Sequence, residues 1–121
     1  MTLSDIQKLV EHGESSTREF KKSTAQLHRA FETLCGFLNG KGGIVLIGIT
    51  DNGKIVGQEV SDSTQQTIAH EITRLEPSSM INIEYTSIEE GSPLKVICLK
   101  ASASVIGTLK SPSKGRQKSP T

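Results

Sequence analysis

The chain has 121 residues, 34% of them apolar, with no Trp, one Tyr and three Phe. That length supports one hydrophobic core and not two. The scarcity of rings excludes a base-stacking platform built from an aromatic cluster. The formal net charge of +1 hides an asymmetry: residues 1–100 hold ten Lys/Arg and all thirteen acids, whereas residues 101–121 hold four Lys/Arg and no acid. A uniformly basic footprint is therefore absent, and any nucleic-acid surface has to be a local patch.

Thr2-Leu3-Ser4-Asp5 ahead of Ile6, Leu9 and Val10 predicts a capped short helix closed by Gly13. Residues 17–21 follow as a short strand, and Ser23 can cap a longer helix whose Leu27, Ala30, Phe31, Leu34, Cys35 and Leu38 recur at helical spacing up to Asn39-Gly40. Ile44-Val45-Leu46-Ile47-Gly48-Ile49 is apolar on both faces and reads as a central strand. Asp51-Asn52-Gly53-Lys54 supplies a turn, from which Ile55-Val56-Gly57 is expected to return as a hairpin partner.

Ser61 or Asp62 can cap a third helix to about Leu75, with Ile68 and Ile72 inward, stopped by Pro77. Two alternating strands follow at about Met80–Thr86 and Leu94–Lys100, joined by Glu89-Glu90-Gly91-Ser92-Pro93. The fold class is α/β (α+β): residues 1–100 form a single small domain with a mixed sheet of about five strands and two to three helices. Residues 101–121 are a basic Ser/Pro/Lys tail, expected to be disordered. Cys35 and Cys98 lie in apolar stretches without a ligand-spaced partner and read as buried free thiols. No apolar run reaches about 18 residues, so a cytoplasmic protein without membrane contact is expected.

Two apparent motifs lead nowhere. Gly40-Lys41-Gly42-Gly43 lacks the spacing and the Ser/Thr of a phosphate loop and closes a helix instead of opening one, so no nucleotide is expected. The histidines, His12, His28 and His70, are isolated.

Glu19-Phe20-Lys21 is more informative. Residues two apart on a strand share a face, so Glu19 and Lys21 point together while Phe20 enters the core. A strand-borne Glu-x-Lys beside other carboxylates can hold Mg²⁺ or Mn²⁺ and stabilise charge developing on a phosphate. Glu14 would face away from Glu19 on a straight strand, so residues 13–16 must bend for the two to meet. Asp51 sits past the C-terminal end of the central strand, where open α/β sheets place their sites. Taken alone, the same residues read first as a solvated surface and an ordinary turn.

In order, Glu14-Ser15, Glu19-Phe20-Lys21, Phe37-Leu38-Asn39, Gly42-Gly43-Ile44-Val45-Leu46-Ile47-Gly48-Ile49-Thr50-Asp51-Asn52-Gly53 and Ile55-Val56-Gly57 resemble the Schlafen-type AlbA-like domain over roughly residues 8–100. The resemblance implies an AlbA-like core with a role in nucleic-acid binding, DNA or RNA, as in transcriptional regulators. It also implies that two such modules could pair as a homodimer. Some Schlafen proteins are metal-dependent endoribonucleases acting on tRNA or rRNA through two glutamates and an aspartate. The matching positions are Glu14, Glu19 and Asp51 as metal ligands, with Lys21 beside them. Phe37-Leu38-Asn39-Gly40-Lys41 departs from the family's usual helix end, and a further Pro-containing segment and strand expected after residue 100 is not evident.

Three functions stay open: phosphate-contacting binding through Arg18, Lys21, Lys22 and Arg29, cleavage by the acidic set, or a structural assembly module.

Overall fold

The computed structural model describes residues 1–75 and 80–103. Helix α1 spans Leu3–His12, with Thr2 and Asp5 forming a reciprocal capping box and Gly13 (φ 76°) at its C-terminus. Strand β1 is Arg18–Lys21. Ser23 caps a short 3₁₀ turn, Thr24–Gln26, that leads into α2, Leu27–Leu38. Strand β2 is Gly42–Ile47, β3 the two residues Gln58–Glu59, and α3 Asp62–Ile72, capped by Ser61. Strands β4, Ile81–Ser87, and β5, Leu94–Ser102, form a hairpin closed by the Ser92 N–H to Glu89 carbonyl bond.

The five strands make one mixed sheet, as expected. β1 runs parallel to β2, β2 antiparallel to β5, and β4 lies along the other side of β5. β5 is buried on both faces from Val96 to Leu99. Its alternation therefore marks which helix layer each side chain meets, and not inside against outside. Ile97, Leu99 and Ala101 join Val45, Ile47, Ala30, Phe31, Leu34, Leu38 and Ile68 beneath α2 and α3. Val96 and Cys98 join Leu46, Phe20, Ile49 and Ile6 beneath α1. Helices thus cover both faces of a single sheet.

Residues 55–57 depart from the expected hairpin. Ile55 makes one bridge to Ile49, and the amides of Val56 and Gly57 both donate to the Gly48 carbonyl. The chain then leaves β2, and Gln58 and Glu59 pair with Lys95 and Leu94 of β5. Gly48 and Gly57 both have positive φ and approach so closely that a Cβ on Gly48 would lie 3.1 Å from the Gly57 Cα. That crossing carries the strand past β2. The last strand continues through Ala101 and Ser102. Pro77, and the expected tail from residue 104 onward, lie outside the described residues.

The turn between α2 and β2 explains its glycines. Gly42 has φ 85°, and a Cβ there would sit 2.7 Å from the Ala101 carbonyl oxygen. At Gly43 the Phe37 ring occupies the place of a side chain, 2.6 Å from an added Cβ. Gly42→Ala combines positive-φ strain with a backbone clash and should destabilise the domain by about 2 kcal/mol, a fall in melting temperature of roughly 10 °C.

A second expectation concerns Cys98. Burial, reinforced by the Glu84 charge, pushes its thiol up to about 11 from an ordinary 9.0. Above pH 9 the unfolded chain ionises first. The contribution of this neutral thiol to stability is therefore complete below pH 9 and lost as pH rises through about 11. Burial raises Tyr85 as well, so denaturant titrations of Cys98→Ala should show a shallower alkaline decline, not its abolition.

Candidate functional site at the edge of strand β1

The chain between α1 and β1 makes the bend that Glu14 needs. Ser15 and Arg18 exchange backbone hydrogen bonds, Ser15 N–H to the Arg18 carbonyl at 2.9 Å and Arg18 N–H to the Ser15 carbonyl at 3.3 Å. Thr17 N–H donates to Ser15 Oγ within this turn. Continuing that register sets Glu14 beside Glu19 along the outer edge of β1. Arg18 Nε donates to the Gly13 carbonyl at 2.6 Å and ties the end of α1 to the strand.

Glu14 has a structural partner at that edge. β1 uses the Thr17 and Lys21 carbonyls to accept from Ile44, Gly48 and Ile49, so by alternation Arg18 and Phe20 point their backbone groups outward. The Phe20 N–H, one of these outward donors, is taken by Glu14 Oε2 at 2.9 Å. The carboxylate thus satisfies an edge amide that would otherwise be open.

Glu19 and Lys21 share the α2 side of the sheet, as predicted, while Phe20 is 2% exposed on the α1 side. Lys21 Nζ lies 3.2 Å from Glu19 Oε2, and its side chain is only 12% exposed. Lys21 is therefore held by Glu19 and is not a free phosphate ligand in this arrangement. Lys22 and Arg29 are exposed, on the strand end and on α2. Arg18 lies on the opposite face, with Phe20. The four cations proposed from sequence divide between the two sides of the sheet.

Asp51 belongs to the turn after β2. The Thr50 hydroxyl donates to Asn52 Oδ1 and accepts from the Lys54 N–H, and Gly53 N–H returns to the Thr50 carbonyl. The turn rests on the last turn of α1, where a Cβ on Gly53 would be 3.3 Å from Val10 Cγ1. Asp51 is exposed and has no hydrogen-bond or ion-pair partner among the described residues. It shares the α1 C-terminal corner with Glu14. Even so, among the described residues no group of three or more His, Cys, Asp or Glu side chains stands close enough to hold a metal ion. With Glu14 on an amide and Glu19 on Lys21, the three carboxylates as placed do not fit a shared Mg²⁺ or Mn²⁺.

Sequence reading missed the partner of Glu14. The Ser-Ser-Thr run at 15–17 was the available signal, because such residues favour turns that hydrogen-bond their own backbone.

A two-sided α/β sheet with carboxylates and cations along one parallel edge defines the class of module. The family model described as Schlafen, AlbA_2 matches residues 14–118, and the chain belongs to that family. The match runs past the last described strand, beyond the limit near residue 100 that the sequence motifs implied. No curated protein matches the chain. Family membership points to a nucleic-acid-related role. Among the described residues no helix is long and apolar enough to cross a membrane.

The Glu14 contact predicts a difference between two substitutions. Glu14→Gln keeps an acceptor for the Phe20 amide and should leave thermal stability nearly unchanged. Glu14→Ala opens the edge and should cost about 1 kcal/mol, read as a melting temperature lower by roughly 5 °C.

Proposed function

We propose that this chain is a nucleic-acid-binding module that holds its ligand through the phosphate backbone. The observation that carries this reading is the set of exposed, unpaired cations around β1, Lys22 and Arg29 with the outer nitrogens of Arg18, in a chain of the Schlafen, AlbA_2 family. Lys21 serves a different purpose, balancing the charge of Glu19. Described aromatic side chains are largely inward: Phe20 and Phe31 are buried, and Phe37 and Tyr85 pack on the core. Affinity then comes mainly from counterion release and is independent of base identity. Fluorescence anisotropy with labelled tRNA and a single-stranded DNA should show binding that weakens steeply with salt. The double substitution Lys22→Ala/Arg29→Ala should lower the slope of log K against log salt by about 1.4 on single strands. A flat salt dependence would rule the reading out.

A second reading, a metal-dependent endoribonuclease, is supported by the turn that brings Glu14 beside Glu19. It requires Glu14 to leave the Phe20 amide and Asp51 to move inward on substrate binding. Under it, Mn²⁺-dependent cutting of tRNA is lost in Glu19→Gln while binding persists. Cutting that survives in this variant would remove Glu19 from the chemistry.

A further inference from the structure

Helix α1 covers only part of its side of the sheet. It packs on Phe20, Leu46, Ile49, Val96 and Cys98, and its start is held near β4 by the Met1 ammonium on Glu84 and the Thr86 hydroxyl donating to the Met1 carbonyl. The next row of the same face lies toward the N-terminal end of β2, away from the turn on which α1 ends. Its members follow from the strand registers: Arg18 opposite Ile44, Ile44 opposite Lys100, and Lys100 opposite Asn82. All four side chains project from the α1 side, because Phe20, Leu46, Cys98 and Glu84 do so one pleat away.

This row carries charge of one sign. Lys100 and Asn82 are exposed, and Arg18 and Ile44 are half-buried. Among the described residues Lys100 has no ion-pair or hydrogen-bond partner. Arg18 uses only Nε, on Gly13, which fixes its guanidinium and leaves the outer nitrogens open. One pleat along β4 on this face, Glu84 is already paired with the Met1 ammonium. Exposed Lys41 precedes β2 at the same end of the sheet. With strands about 4.8 Å apart, Arg18 and Lys100 stand about 10 Å apart on either side of Ile44.

The geometry points to this row, open among the described residues, as a further phosphate-contacting surface that shares Arg18 with the first, on which Arg18, Lys100 and Lys41 take the sugar–phosphate strand of a single-stranded nucleic acid. The inference rests on the nucleic-acid reading above and assigns it a face. The row is a shelf about 15 Å across, walled on one side by α1, which suits one strand. No described ring projects from it, so the contact is to phosphates and not to bases. The aliphatic Ile44 makes the floor between Arg18 and Lys100, and Asn82 extends the row beyond Lys100 on β4.

The test measures binding of a fluorescein-labelled 20-nucleotide dT strand to the full chain by anisotropy across a salt series. It compares Lys41→Ala/Lys100→Ala with Lys8→Ala/Lys54→Ala, four exposed lysines whose side chains make no hydrogen bond or ion pair among the described residues. The expected result is a salt slope lower by about 1.4 for the first pair, with less than a twofold change for the second pair and equal affinity for a dA strand. Wild-type binding that the first pair leaves unchanged, while Lys22→Ala/Arg29→Ala weakens it, would overturn this surface and keep the binding function. Absence of wild-type binding to both DNA and tRNA at low salt would overturn both.

Discussion

The antiparallel pairing of β2 with β5 decides the position of almost everything else. Both strands are apolar on both faces, so each must be covered twice. Their shared register assigns Val45, Ile47, Ile97 and Leu99 to the α2–α3 layer, and Leu46, Val96 and Cys98 to the α1 layer. β1 then adds in parallel to the free side of β2, and that step sends Glu19 and Lys21 to one face and Arg18 and Phe20 to the other. A register slip of one residue in β1 would exchange the two faces, carrying Glu19 and Lys21 into the apolar layer beneath α1 and taking Phe20 out of it, which the cost of an unsolvated charge opposes.

The β1 edge shows how one set of residues can satisfy structure and leave chemistry in reach. An edge strand needs its outward amides occupied. Here a tight turn and a carboxylate do this, with Arg18 holding the Gly13 carbonyl. The same arrangement sets two carboxylates side by side and balances one of them with Lys21. Glu14 and Glu19 are engaged with the protein itself, while Asp51 is not, and this weighs toward the proposed phosphate binding over metal chemistry. The cations fall on both sides of the sheet, which is why the proposed binding has two candidate surfaces, the edge and the shelf beside α1.

Much of this was legible from sequence because its causes are local. The Thr2–Asp5 capping box, the apolar stripe of α2 and the β-branched run of β2 each follow from side-chain periodicity or a capping hydroxyl. So does the Glu19–Lys21 pairing, which needs only the two-residue repeat of a strand. The sharp bend at residues 13–16 was legible as a requirement, though its means, the Ser15–Arg18 exchange, was not.

What only tertiary structure decided depends on non-local register. The crossing of Gly57 over Gly48 turned an expected hairpin into a two-residue strand on β5, because the Gly48 carbonyl accepts both returning amides and no ladder can extend from there. The capture of the Phe20 amide by Glu14 needed the edge position of β1, which no spacing reveals. The row of Arg18, Ile44, Lys100 and Asn82 joins residues up to eighty-two positions apart. Sequence alone determined the charges and the period of each strand; which charges became neighbours was set by strand order and register, since cross-strand distance bears no relation to separation along the chain.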